Sequence, residues 1–158
     1  MYNAFMNVLL VLFGLMGPMA AIAQQVCNPN IPESTPTTSF VVGDNGTATD
    51  TQTRLMWKRC AEGQSWNGAT CTGGAAIYTW QGALQRAKAV NDAGGYAGHA
   101  DWRLPNIKEL RSLVEEKCAG PAINTTVFPA ASALYFWSAS AYAGDPDSAW
   151  ALPVSDGL

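Results

Sequence analysis

Few residues in this 158-residue chain have the types and spacing that chemistry needs. Asp101 and Glu109 form a pair of carboxylates, the kind that general acid–base catalysis uses, but capping and ion-pair roles account for both. His99 is the single histidine and has no cysteine nucleophile to serve, so a packing role is expected. Asp44, Asn45, Asp50 and Gln52 lack the alternating acidic positions and terminal glutamate of a calcium loop, and turn chemistry explains them. Cys27, Cys60, Cys71 and Cys118 contain no Cys-x-x-Cys and, with one histidine, make a poor zinc set. The expectation is a chain with no catalytic residues, no metal and no cofactor.

The elements that position these residues centre on Asp101-Trp102-Arg103-Leu104-Pro105-Asn106. Pro105 disfavours helix at Leu104, so the run before it should be an extended arm. Asn106 suits an N-cap, and Glu109 stands where its side chain can return a hydrogen bond to the cap amide. Ile107, Leu110, Leu113 and Val114 mark the apolar face of a helix expected over 107–117. Arg103, between Trp102 and Leu104, is expected to be partly buried and paired with Asp101 or a backbone carbonyl. If so, its removal costs about 3–5 kcal/mol and unfolds the domain.

An earlier helix is predicted over 79–91, with Thr79 as cap, Gly94-Gly95 as stop, and a core-facing stripe of Trp80, Ala83, Leu84, Ala87 and Val90. Before it, Ser39–Val42 and Thr47–Trp57 read as a β meander around the Gly43-Asp44-Asn45-Gly46 turn. After it, the aromatic run 134–140 reads as a buried strand, and 148–154 begins another. Asp156-Gly157 then signals a turn with no return strand.

The segment 1–23 is uncharged, carries an apolar run from Val8 to Met16, and ends in Ala21-Ile22-Ala23, the small-x-small pattern of a cleavage site. That run is too short to span a membrane, so a signal peptide is expected and no stable span in the mature chain. Residues 24–38 form an extended leader rich in Pro, Ser and Thr, and 39–158 the domain. In an exported chain the four cysteines read as two disulfides with three possible connectivities. The Cys60–Cys71 pair is easiest to close across its Gly/Asn-rich loop, which leaves Cys27 with Cys118. A net charge of −3 with dispersed basic residues argues against nucleic-acid binding.

An ordered set of motifs now matches one pattern. It comprises Thr49-Asp50-x-x-Thr53-x-Leu55-Met56-Trp57, Thr79-Trp80-x-x-Ala83 and Gly95-Tyr96 running into Asp101–Val114. Pro121-Ala122-Ile123-Asn124, Phe136-Trp137-Ser138 and Ala149-Trp150 complete it. This series resembles the Lcl C-terminal domain family, named for the C-terminal domain of the Legionella collagen-like adhesin. The resemblance implies an α+β, C-type-lectin-like fold related to the formylglycine-generating enzyme, with two helices packed on short antiparallel sheets. Relatives usually have glycine where this chain has Arg54, so that turn is expected to differ. They also usually continue into a final strand absent here, so Phe40–Val42 is expected to lack a partner and leave a sticky edge.

The expected function is that of a non-catalytic binding or adhesion module located in the periplasm, at the cell surface or in the medium. Its ligand would be an envelope or extracellular component, a glycan among them, with tryptophans 66, 102, 137 and 150 as candidate stacking surfaces. The adhesin's sulfated-glycosaminoglycan ligand is not transferred, because this acidic chain lacks a basic patch. The alternatives are a structural cell-envelope domain and an enzyme related to the copper-dependent oxidase. That oxidase chemistry needs a late pair of reactive cysteines, and none follows Cys118.

Overall fold

Two disulfides frame the chain: Cys27 with Cys118, and Cys60 with Cys71, the connectivity expected from local closure. The computed structural model describes residues 24–132, 134–145 and 147–156. The segment 1–23, expected to be a signal peptide, and the last two residues, 157 and 158, lie outside the described residues.

In chain order the elements are β1 (Val26–Cys27), β2 (Phe40–Val42), β3 (Thr47–Asp50), β4 (Met56–Lys58), β5 (Ser65–Trp66) and β6 (Cys71–Thr72). Then come α1 (Trp80–Asp92), α2 (Ile107–Arg111), β7 (Cys118–Ala119), β8 (Tyr135–Ala141) and β9 (Ala149–Pro153). Among the described residues all strand pairing is antiparallel: one three-stranded sheet, β2-β3-β4, and three strand pairs, β1-β7, β5-β6 and β8-β9. The described residues are therefore α+β, with two α-helices and short antiparallel sheets.

Turn chemistry sets the meander. The Asn45 carboxamide accepts from the Thr47 amide and hydroxyl, which closes the β2–β3 turn. The Asp50 carboxylate accepts from the Gln52 and Thr53 amides and the Thr53 hydroxyl. The side chains of Asn45 and Asp50 are thus used in turns. Arg54 completes the second turn at φ +61°, a left-handed conformation that an arginine enters at a cost. That is the position where the resemblance leads to the expectation of glycine.

Helix α1 begins at the expected cap, with the Gly82 amide donating to the Thr79 hydroxyl, and is followed by Gly94 and Gly95 at positive φ. A side chain at Gly95 would collide with the His99 carbonyl, so the tight return to the arm requires glycine there. The stripe on α1 departs from expectation, because no residue of the helix is buried and Leu84 is 40% exposed. It borders an open apolar groove instead of a closed core.

Helix α2 is shorter than the expected 107–117. The Ser112 hydroxyl donates to the Glu109 carbonyl at the last turn, where it competes with continued helix. Beyond it Val114 bridges to Ile123, and the Glu115 amide donates to the Ala122 carbonyl. The core gathers Phe40, Ala48, Leu110, Leu113, Val114, Ala122, Ile123, Val127, Phe128, Leu152 and Val154, with Phe40 edge-on to Phe128 at 5.8 Å. In the chain-entropy account the Cys27–Cys118 bridge, with a sequence separation of 91, adds about 4–5 kcal/mol. The 11-residue Cys60–Cys71 separation adds about 3.

The aromatic run expected as a buried strand forms β8, but its start lies open: Leu134 is 51% and Tyr135 75% exposed, while Ser138 is buried. Pro153 sits opposite Tyr135. The flanking pair, Leu134 with Val154, exchanges the hydrogen bond, so the missing N–H of Pro153 costs the ladder nothing. β2 pairs with β3 and has no second strand among the described residues, and its Val41 and Val42 are exposed, but the larger apolar opening lies beside β4 and β8.

Candidate functional site

The arm 101–106 joins three elements. The Trp102 amide donates to the Asn91 side chain and its carbonyl accepts from it, at 2.9 and 2.8 Å, fastening the arm to the end of α1. The Trp102 indole donates to the Tyr96 carbonyl, and its ring meets Tyr96 and His99 edge-on. His99 is exposed, with its ring edge-on to Trp102. The Pro105 carbonyl accepts from the Ala139 amide on β8, and the Ile107 amide donates to the Ser140 hydroxyl. Leu104 is half-buried beside α1 and α2.

Asn106 and Glu109 form the expected capping box. Arg103 makes the expected backbone-carbonyl bond but is more exposed than expected, and its charged partner is Glu109. Its side chain is 59% exposed and forks onto Glu109 with two bonds of 2.8 Å, besides a 3.2 Å bond to the Leu104 carbonyl. Asp101, on the exposed side of the arm, is not its partner. The two carboxylates are therefore not brought together as an acid–base pair. The hydrogen bonds from Arg103 foremost, opposed by burial and aided by the Asn106 amide, hold Glu109 below the usual carboxylate range.

A second anchor has no local signature in the sequence. Glu115 is buried and accepts from the amides and hydroxyls of both Ser34 and Thr35. Burial pushes this carboxyl up, but the bonds from Thr35 and Ser34 outweigh it and hold the group below its ordinary value. With Gln25 donating to the Pro121 and Ile123 carbonyls, Glu115 fixes a leader expected to hang mainly from Cys27.

The arrangement best suited to a ligand is a cleft of about 460 Å³ lined by Asn45, Lys58, Glu62, Gln64, Trp66, Arg86 and Tyr96. The disulfide-closed loop brings Trp66 and Glu62, the β2–β3 turn brings Asn45, and α1 with the turn after it brings Arg86 and Tyr96. The Trp66 indole donates to the Asp44 carbonyl and the Tyr96 hydroxyl to the Asn45 carbonyl, which fixes both rings. Arg59 stacks on Trp66 at 4.2 Å and Lys58 on Tyr96 at 4.6 Å.

Glu62 pairs with Lys58 and, at 2.8 Å, with Arg86. Burial raises this carboxyl, but hydrogen bonds from Lys58 and Arg86 prevail and keep it ionised at neutral pH. Burial foremost, and then the Glu62 charge, raises the Tyr96 phenol, which stays a neutral donor. Fixed aromatic rings beside amides and compensated charges can hold a neutral polyhydroxylated ring by stacking and hydrogen bonding. Of the tryptophans proposed for stacking, Trp66 lies in this cleft. Trp102 and Trp137 are half-buried with their indoles bonded to the Tyr96 and Tyr78 carbonyls, and Trp150 is exposed against Tyr142.

Small disulfide-pinned α+β domains are a broad class, and the family model narrows it. The Lcl C-terminal domain model matches residues 46–158, so this chain belongs to the Lcl C-terminal domain family. No curated protein matches the chain, and no solved structure does. Among the described residues no helix is long and apolar enough to cross a membrane.

Proposed function

We propose that this chain is an exported, non-catalytic binding module with a C-type-lectin-like fold, and that the Trp66–Tyr96 cleft is its ligand face. Membership of an adhesin-associated domain family over 46–158 is the observation that carries this reading. The two disulfides agree with export to the periplasm, the cell surface or the medium. The ligand class that suits the cleft is a neutral or weakly charged glycan of the envelope or matrix, since Glu62 already offsets the cations around it.

Screening the disulfide-bonded chain on glycan arrays and matrix-coated surfaces at physiological salt tests this. The reading expects saturable binding to a subset of glycans, weakened in an Arg86→Ala variant whose circular dichroism is unchanged. Silence across both surfaces would remove it. Turnover of cysteine peptides on copper addition would overturn the non-catalytic part.

A further inference from the structure

An apolar groove of about 640 Å³ lies on a different part of the surface from the Trp66 cleft's aromatic wall, although Lys58, Glu62 and Arg86 border both. Its floor includes Leu110, Phe128 and Leu152, and α1 contributes Ala83, Ala87 and Val90. Large apolar side chains stand exposed around it: Met56, Ile77, Leu134 and Tyr135.

Two strand edges open on this groove. On β4, Leu55 accepts from Asp50 and Arg59 donates to Gly46, so the odd-numbered backbone groups serve β3. The alternation turns the amides and carbonyls of Met56 and Lys58 outward. On β8, Leu134 accepts from Val154, so Tyr135 and Trp137 likewise face away from β9. Among the described residues none of these four amides donates a hydrogen bond outside its own sheet. Further along the same β8 edge, the Ala139 amide is already closed by the Pro105 carbonyl of the extended arm. The indole N–H of Trp57, also in the groove lining, is buried without an acceptor. An orphaned donor of this kind costs stability until an acceptor arrives.

We infer that this groove is a strand-acceptor site, which binds an extended segment of another polypeptide by β-addition to the open edges of β4 and β8. Backbone groups on the edges ask for a polypeptide backbone, and the apolar lining asks for alternating apolar side chains. The occupant's polar face should be acidic. Basic side chains on the lining (Arg54, Lys58, Arg59, Arg86, Arg103) outnumber acidic ones (Glu62, Asp101, Glu109) although the chain as a whole is negative.

The probe is a fluorescein-labelled peptide of about nine residues, a usual strand length, alternating valine with threonine and glutamate. The expected result is saturable one-to-one binding by fluorescence anisotropy. N-methylation of the alternate amides along one edge of the peptide should weaken it about tenfold or more, since several backbone bonds are lost. Tyr135→Pro removes one outward amide that β9 does not use and should weaken binding about three- to tenfold with the thermal midpoint kept. The N-methylated series carries the test even if that variant does not fold. Absence of binding overturns the inference, as does equal binding by the N-methylated peptides, which would mean apolar adhesion alone. Sedimentation as a dimer whose Trp57 and Trp137 fluorescence ignores the peptide also overturns it, because a second copy then fills the groove.

Discussion

Replacing Glu115 with alanine should loosen the leader from the domain. The carboxylate is buried and accepts four hydrogen bonds from Ser34 and Thr35 and one from the Lys117 amide. Ser34 and Lys117 lie nearer solvent and can turn to water, whereas Thr35 is buried and would keep two unpaired donors. Each stranded donor costs about 1–3 kcal/mol, so the expected loss is about 2–6 kcal/mol. That is a large part of a total stability of about 5–15 kcal/mol. At roughly 3–5 °C per kcal/mol for a domain of this size, the thermal midpoint should fall by about 6–30 °C.

The pH dependence has a definite sign. Because the folded-state carboxyl lies below its unfolded value, the unfolded chain takes up the proton first as pH falls. The contribution is complete above the unfolded carboxylate range and is lost as pH drops through the folded value. The Glu115→Ala protein should therefore lose less stability than the parent on acidification below about pH 4.3. Thermal and urea denaturation across that range measure both effects. A midpoint change under about 3 °C, with the parent's acid slope intact, would refute the reasoning.

Three further outcomes are expected. Arg103→Ala should stay folded and lose about 0.5–1 kcal/mol, because its pairing with Glu109 is exposed to solvent; an unfolded variant in circular dichroism would restore the buried reading. Arg54→Gly should raise stability by about 0.5–1 kcal/mol by relieving the left-handed backbone, and urea midpoints that fall would show that Arg54 is not strained. Replacing Cys27 and Cys118 together should cost about 4–5 kcal/mol against about 3 for Cys60 and Cys71. Equal losses in chemical denaturation would contradict the loop-entropy account.

What was legible in the sequence depended on neighbours a few residues apart. The Asn106–Glu109 capping box, the Thr79 cap, the Asn45 and Asp50 turns and the Cys60–Cys71 loop all rest on local spacing, and they formed as read. Features that depend on distant partners were not legible. Glu115 sits in an unremarkable charged run, and its partners lie about 80 residues earlier. Arg103 was placed by its apolar neighbours, but the fork to Glu109 on the outer face of α2 draws it into solvent. Helical periodicity identified the stripe on α1 but not what covers it, and it faces a groove. The cleft gathers residues from Asn45 to Tyr96, none of which is diagnostic alone. Trp66 was one of four tryptophans named for stacking, and its place in the sequence did not set it apart from the other three.

The central claim is that the Trp66–Tyr96 cleft binds a glycan-class ligand. Its most direct test is a binding curve on glycans retained from the array, comparing the disulfide-bonded chain with Trp66→Ala at physiological salt. Loss of a stacking aromatic should weaken binding about tenfold or more while the thermal midpoint stays close to the parent's. Equal affinity in the two proteins would contradict the account.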